Sequence, residues 1–165
     1  MDSYLIAFIA GLVGAFFMDL AEFKLARVGY SSGVSAAYIG RWVNGLLKGR
    51  LSHRDISETA SVRGEEQIGM AFHFIIGGGV IALLYPWFIG VAGLETLSDH
   101  LVTGIVYGLA TSVLPWFILM PALGWGWFGS KTPFESEPVI APLLSHTAYG
   151  LGIGFTFILY EVIIM

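Results

Sequence analysis

The sequence contains no cysteine among its 165 residues. Disulfides, zinc sites with cysteine ligands, iron–sulfur clusters and covalently attached c-type haem are therefore excluded. Charge is also scarce, because charged residues make up 12% of the chain, about half of what a soluble domain carries. Hydrophobic residues make up 56%, and the mean hydropathy is +0.76. This composition predicts an all-α integral membrane protein, with residues 1–165 forming a single transmembrane helical bundle.

Four apolar stretches are long enough to cross the hydrocarbon core of a bilayer, which takes about 20 residues per helix. They are Tyr4–Ala26, Ile68–Val91, Leu101–Leu123 and Ile140–Ile164. Small residues let membrane helices approach closely. Gly11-x-x-Gly14 in span one and Gly104-x-x-x-Gly108 in span three are therefore candidate contact faces.

The basic residues predict the orientation of the chain. All eight Lys and Arg residues lie at the end of span one, in the first loop or in the third loop. These two loops face the same side in a four-span chain. The charged residues on the opposite side are all acidic, namely Asp2, Glu95, Asp99 and Glu161. By the positive-inside rule, we expect cytoplasmic first and third loops and both termini outside.

The first loop contains further structure. Apolar residues recur at helical spacing over Ser35–Leu51, which predicts an amphipathic helix on the cytoplasmic leaflet between spans one and two. A gate or a docking element for a partner is the alternative role. The segment Ser52-His-Arg-Asp55 resembles a capping box and predicts a second short helix. Because the loop is short and interfacial, we expect it to contact anionic lipid and not nucleic acid.

Two histidines begin the same pattern, His-x-x-x-Gly-x-Gly, at His73 in span two and His146 in span four. This match predicts two tandem hairpin repeats related by an axis along the membrane normal. Such an axis would place both imidazoles at one depth, where Asp19 of span one also lies. Ionisable side chains at membrane depth usually face a bundle interior or a pathway. The alternative is structural, with His73 bonded to Asp19 or to a helix carbonyl.

Three chemistries suit this set of side chains. His73, His146, Asp19 and Glu65 are candidate ligands of a transition metal. The two histidines are also candidate axial ligands of a b-type haem. A histidine beside a carboxylate can instead relay protons, because imidazole titrates near neutral pH. The spacing does not discriminate among these three, so the cofactor stays open.

Span three and the two remaining histidines carry further signals. Pro115 predicts a kink, and Pro121 with the glycines after it predicts the end of the span. Trp125 and Trp127 are expected to be interfacial anchors, with an aromatic cavity mouth as the alternative. Two further histidines, His53 and His100, are expected to be solvated in loops.

A set of short motifs occurs in order along almost the whole chain. They are Gly11-Leu-Val-Gly14, Met18-Asp19, Gly40-Arg-Trp42, Gly64-Glu65, Gly69-Met-Ala-Phe-His73, Met120-Pro-Ala-Leu-Gly124, Ser130-Lys-Thr-Pro133 and Ser145-His146. Together they resemble a bacterial inner-membrane family catalogued as domain of unknown function 2938. Spans two and four are also similar to the YagU-like inner-membrane proteins linked to acid resistance.

The resemblance implies a four-helix polytopic protein of the bacterial inner membrane and no established activity. The positions it marks are Asp19, Arg41, Trp42, Glu65, His73, Pro121, Lys131 and His146. Among these we expect Arg41, Trp42 and Lys131 to form the cytoplasmic mouth of the site.

We therefore expect an intramembrane His/carboxylate site that binds a metal or haem, or acts in proton-coupled transport of a small solute. The alternative is a non-catalytic accessory subunit of a larger membrane complex that holds a lipid, quinone or pigment. Because four helices make a thin transporter, either role suggests a homo-oligomer or a larger complex in the lipid bilayer. Whether the protein is an enzyme is left open.

Overall fold

The computed structural model describes residues 3–93, 96–133 and 136–164. The described residues form helices and connecting loops and contain no β-strand. Two of the acidic residues used to predict the orientation, Asp2 and Glu95, lie outside the described residues.

Four helical spans are long and apolar enough to cross a membrane: Ser3–Ala26, Glu65–Ala92, Asp99–Leu123 and Ile140–Ile164. The four predicted spans are therefore confirmed. Spans one and four are the unbroken helices α1 (Ser3–Ala26) and α7 (Ile140–Ile164). Spans two and three are each interrupted by a π-helical segment.

Span two consists of α3 (Glu65–Phe72), a first π segment (His73–Val80) and α4 (Tyr85–Ala92). Span three consists of α5 (Asp99–Thr111), a second π segment (Pro115–Leu119) and α6 (Met120–Leu123). The second π segment begins at Pro115, which lacks the N–H that a regular turn would use. Span three ends where Gly124 adopts φ +91°, as helices often do at a glycine. Local π turns are frequent at functional sites.

Glycine residues let the spans pack closely. A Cβ atom on Gly11 of span one would overlap the backbone of Gly78 in span two. A Cβ on Gly14 would crowd Tyr149 of span four, and one on Gly104 would overlap the backbone of Gly150. The predicted contact faces in spans one and three are therefore confirmed, and no larger residue fits at these positions without moving a helix.

The first loop contains a helix, α2 (Ala36–Leu47), within the segment predicted to be amphipathic, and its position on the cytoplasmic leaflet stays a prediction. The Ser35 hydroxyl caps it by accepting a hydrogen bond from the Tyr38 N–H at 3.3 Å. This helix packs against α3 at a glycine crossing, since a Cβ on Gly40 would overlap the Glu65 carbonyl and one on Gly69 the Ala36 carbonyl. The first loop is thus held against span two.

The second short helix predicted from Ser52 is not formed, and residues 51–63 are irregular. The reason lies in Asp55, whose carboxylate accepts hydrogen bonds from the Ser57 N–H at 2.9 Å and the Trp125 indole at 3.2 Å. Burial raises the pKa of Asp55, but these hydrogen bonds outweigh burial and hold that pKa below its usual value. The carboxylate is therefore engaged in a turn and in the third loop, and caps no helix.

The first and third loops pack against each other at one end of the bundle, here called the loop end. The N–H groups of His53 and Ile56 donate to the carbonyls of Ala122 and Leu123 at 2.8 and 2.9 Å. Trp125 is fully buried in this contact, so its prediction as an interfacial anchor is wrong, whereas Trp127 is largely exposed. The other end of the bundle, where span two leads to span three, is here called the far end.

Candidate functional site

A cavity of about 360 Å³ lies within the bundle near the loop end. All four spans and α2 contribute to its walls. Three of the predicted site residues, Asp19, His73 and His146, line it, and so does Trp42 of the predicted mouth. The spans therefore bring together the ionisable groups that the sequence placed on three separate helices.

His73 and Asp19 approach across the interface between spans one and two. The His73 Nε2 atom lies 2.9 Å from a carboxylate oxygen of Asp19, within ion-pair distance. The ring N–H direction does not meet hydrogen-bond geometry, so Nε2 is buried without a hydrogen-bond partner among the described residues. Buried polar atoms are nearly always satisfied, and an unsatisfied one calls for an explanation. The contact is thus within ion-pair distance without being a hydrogen bond.

His146 is oriented by Thr111 of span three. The Thr111 hydroxyl donates its single proton to the Gly108 carbonyl at 2.7 Å. It must then accept from His146 Nδ1, which lies 2.9 Å from the same oxygen. This arrangement assigns the neutral tautomer with the proton on Nδ1 and leaves Nε2 with a free lone pair. Nε2 of His146 can thus accept a hydrogen bond.

A second carboxylate, Glu22, stands beside this group. It follows Asp19 by three residues and shares its face of α1. The Glu22 side chain lies next to the hydroxyls of Ser145 and Ser32 and close to Asp19 and His73. Glu22 and both serines also line the cavity. The acidic content of the site is therefore larger than Asp19 alone.

Glu65 is not part of this cavity. Its carboxylate receives two hydrogen bonds from the Arg41 guanidinium, at 2.7 and 3.0 Å, and a third from the Val62 N–H at 2.7 Å. Arg41 also donates to the carbonyls of Ile56 and Thr59 at 3.0 and 2.7 Å. The hydrogen bond to Glu65 is the main cause that raises the pKa of Arg41 above its ordinary value. The pair clamps α2, the irregular segment and α3 together.

The remaining predicted residues lie around the cavity or apart from it. The Trp42 indole donates to the Leu51 carbonyl at 3.0 Å, and its ring meets Phe72 edge to face. Pro121 lies at the start of α6 and does not line the cavity. Lys131 is exposed in the third loop, outside the lining. Only Trp42 of the three predicted mouth residues borders the cavity.

The positions of the His, Asp and Glu side chains test whether they can act together as ligands of a metal ion. Within residues 3–93, 96–133 and 136–164, no three His, Asp or Glu side chains lie close enough together to hold one metal ion. His73 with Asp19 supplies two groups, and His146 is bonded to Thr111 through its other nitrogen. The arrangement suits the exchange of protons at imidazole nitrogens.

Two features escaped the sequence analysis. The first is Thr111, which could have been found because it follows Gly104 and Gly108 on the face of span three that packs against span four. The second is His100, whose prediction as a solvated loop residue is wrong. Its ring is 4% exposed and lies 3.0 Å from the Glu161 carboxylate at the far end. His53 is also partly buried, with Nδ1 3.3 Å from the Thr59 hydroxyl.

Comparisons with known proteins locate the chain within one family. No curated protein and no solved structure matches it. The likeness to YagU-like proteins accordingly stays a prediction. A family model described as "Protein of unknown function (DUF2938)" matches residues 8–159, which include the cavity and both loops. The chain belongs to this family of proteins of unknown function.

Proposed function

We propose that this protein is a multi-pass protein of the bacterial inner membrane that binds a small solute in the cavity and couples its movement to proton exchange. The observation that carries the proposal is the contact between His73 Nε2 and Asp19 at 2.9 Å on the cavity wall. The basic first and third loops then face the cytoplasm by the positive-inside rule, and both termini face outside.

The chemistry follows from the charge of the pair. With His73 neutral, Asp19 gives the cavity wall an uncompensated negative charge. A proton that adds to the Nε2 lone pair of His73 forms an N–H bond and creates an ion pair with Asp19. The net charge of the pair then falls to zero. Because charges interact strongly in a medium of low dielectric constant, this single proton changes what the cavity can bind.

His146 provides a hydrogen-bond acceptor beside the pair. Thr111 holds Nδ1 protonated, so Nε2 is the nitrogen that can accept an N–H group of a solute. The two histidines lie on different spans of the same cavity. Their matched sequence patterns support the proposed tandem hairpin repeat, with equivalent groups contributed by each half.

Proton exchange is favoured over a site for a bare metal ion by the ligand set, since among the described residues no third His, Asp or Glu completes such a site. An accessory role in a larger complex is favoured by no particular contact. Elemental analysis of purified protein beside the His73→Ala/His146→Ala double mutant separates these cases. We expect no metal in stoichiometric amount, and a stoichiometric metal lost in the mutant would contradict the proposal.

The direct test uses proteoliposomes that contain a pH-sensitive dye. Panels of cationic, neutral and anionic solutes are added outside, and the internal pH is followed. We expect at least one class to drive a pH change that falls at least about tenfold in His73→Gln, because the glutamine cannot take up a proton. The control is His53→Gln, since His53 lies in the first loop and does not line the cavity. If no class changes the internal pH, or if His73→Gln equals wild type, the proposal is wrong.

A further inference from the structure

The lining of the cavity is mainly apolar. Its walls include methionine, isoleucine and leucine side chains from several spans, and the indole of Trp42 borders it. The apolar lining residues include Met18, Met70, Ile76, Ile118, Leu119 and Met120. A solute that fills such walls must present an apolar body, because hydrophobic contact is the main source of affinity in pockets of this size.

The described lining contains acidic side chains and no basic side chain other than histidine. Asp19 and Glu22 contribute carboxylates, and among the described lining residues there is no lysine or arginine. The two histidines are the other titratable groups on the walls. A cation in the cavity would therefore meet opposite charge, whereas an anion would meet like charge.

The nearby basic residues are engaged or directed elsewhere. Arg41 is held by Glu65 and by two carbonyls of the first loop. Arg27 lies over the ring of Phe23, 5.5 Å from its centre, and Lys24 is exposed. Among the described residues, no lysine or arginine forms an ion pair with Asp19 or Glu22.

Residues of spans two and three face each other across the cavity, among them Ile76 and Ile118. These spans meet directly near the far end, where α4 contacts α5 and the Tyr107 hydroxyl donates to the Ile81 carbonyl. Towards the loop end α2 packs against both α3 and α6. Between these two levels, Ile76 and Ile118 line the cavity and are 38% and 55% exposed respectively. An entrance at this level would face the hydrocarbon region of the surrounding bilayer.

From these observations we infer that the solute is a lipophilic organic cation that enters from the bilayer between spans two and three. Its apolar body occupies the methionine and isoleucine walls, and its positive charge lies beside Asp19 and Glu22. This inference rests on the proposed function and names the class of its solute. It also gives the coupling a physical cause, because the cation and a proton on His73 compensate the same carboxylate.

The test compares two ions of nearly equal size and shape and opposite charge, tetraphenylphosphonium and tetraphenylborate. Binding of each to purified protein in mild detergent is measured by equilibrium dialysis. Methyltriphenylphosphonium is included as a smaller cation, so that size alone does not decide the outcome. We expect saturable binding of at least one cation and none of the anion.

Matched variants locate the binding. Asp19→Asn and Glu22→Gln keep the shape of each side chain and remove its charge, and we expect each to weaken cation binding at least about tenfold. Glu161→Gln removes a carboxylate at the far end, outside the cavity, and is expected to bind as wild type. Size-exclusion profiles of all variants establish that they are folded.

The outcomes separate the two proposals. Equal binding of the borate, no binding of either cation, or cation binding unchanged in both carboxylate variants would overturn the cation inference. If neutral or anionic solutes nevertheless change the internal pH of proteoliposomes, only the solute class is wrong. If no solute class does so, the proposed function itself fails.

Discussion

The two ends of the bundle contain the same pair of residue types in different surroundings. Near the loop end, His73 and Asp19 stand 2.9 Å apart on a cavity wall, and the Asp19 side chain is 40% exposed. At the far end, His100 and Glu161 are 3.0 Å apart, but the imidazole stacks on Phe157 with 5.4 Å between ring centres. The two pairs therefore differ in their surroundings. The His73–Asp19 pair borders open space, whereas the His100–Glu161 pair is packed against an aromatic ring.

The far end is closed by several further contacts. The Tyr85 hydroxyl donates to the His100 carbonyl at 3.2 Å, and Tyr85 packs edge to face against Tyr107 and Phe157. A Cβ on Gly154 would overlap the same His100 carbonyl, so spans three and four touch backbone to backbone. This end therefore holds the helices together while the loop end provides the cavity.

The largest effect is expected from Arg41→Gln, which would weaken the loop end and leave the far end intact. Removing the guanidinium leaves Glu65 without its charged partner in a nearly buried position, at a cost of about 3 kcal/mol. Chemical unfolding gives the loss of stability, and hydrogen exchange maps it. We expect faster exchange in residues 51–63 and unchanged exchange in α4 and α5. Arg63→Gln, at an exposed position, is the control and should change little.

His100→Ala at the far end and His73→Ala near the loop end are expected to have opposite effects on stability and on activity. Loss of the buried His100 ring should destabilise the protein by about 2 kcal/mol because a well-packed aromatic contact disappears, while solute-driven proton movement persists. The His73 variant should lose that movement, and its stability should change by less than about 1 kcal/mol. Unfolding curves and the proteoliposome assay are measured on both variants. The comparison fails if both variants lose stability and activity to the same extent.

Thr111→Val tests the assignment of the His146 tautomer. The valine keeps the shape and removes the acceptor of the Nδ1 proton, so we expect a mixed tautomer and a loss of about 1 kcal/mol. Nitrogen chemical shifts of labelled histidine report the tautomer directly. Thr156→Val is the control, because the Thr156 hydroxyl bonds the Gly152 carbonyl within the same helix. An unchanged His146 spectrum in Thr111→Val would contradict the assignment.

The smallest effect concerns His53, at the loop end but outside the cavity. Burial, together with Arg50 and Arg41, lowers the pKa of His53 below its ordinary value of 6.5. The unfolded chain therefore binds a proton more readily, and the folded state loses stability as the pH falls below about 6.5. Unfolding midpoints at neutral and mildly acidic pH should show a smaller loss in His53→Gln than in wild type. An equal loss in both proteins would show that this histidine does not contribute.

The fold was predictable because its main signals are local. Apolar length gave the spans, and the glycine spacing gave the faces at Gly11, Gly14, Gly104 and Gly108. The grouping of Asp19, His73 and His146 followed from their similar depth along the helices. Depth alone could not give the direction of each side chain, so the pairing of Glu65 with Arg41 was not foreseen.

The errors came from contacts between distant parts of the chain. Asp55 was expected to cap a helix, but it accepts a hydrogen bond from Trp125, 70 residues away. This contact forms part of the packing between the first and third loops, in which Trp125 is buried. His100 was expected to be solvated because it lies next to a loop, whereas Glu161 and Phe157 of span four enclose it. Such pairings depend on tertiary packing that no local pattern records.

Ile76 and Ile118 line the cavity where we infer its entrance from the bilayer, and that entrance has a consequence for concentration. A solute that reaches the cavity through the bilayer is present there at its membrane concentration, which exceeds the aqueous concentration by its partition coefficient. A site of modest intrinsic affinity can then be well occupied at low aqueous concentration. The same reasoning predicts that the total solute concentration needed for half-occupancy rises as detergent or lipid is added, while the amount of solute per mole of lipid at half-occupancy stays constant.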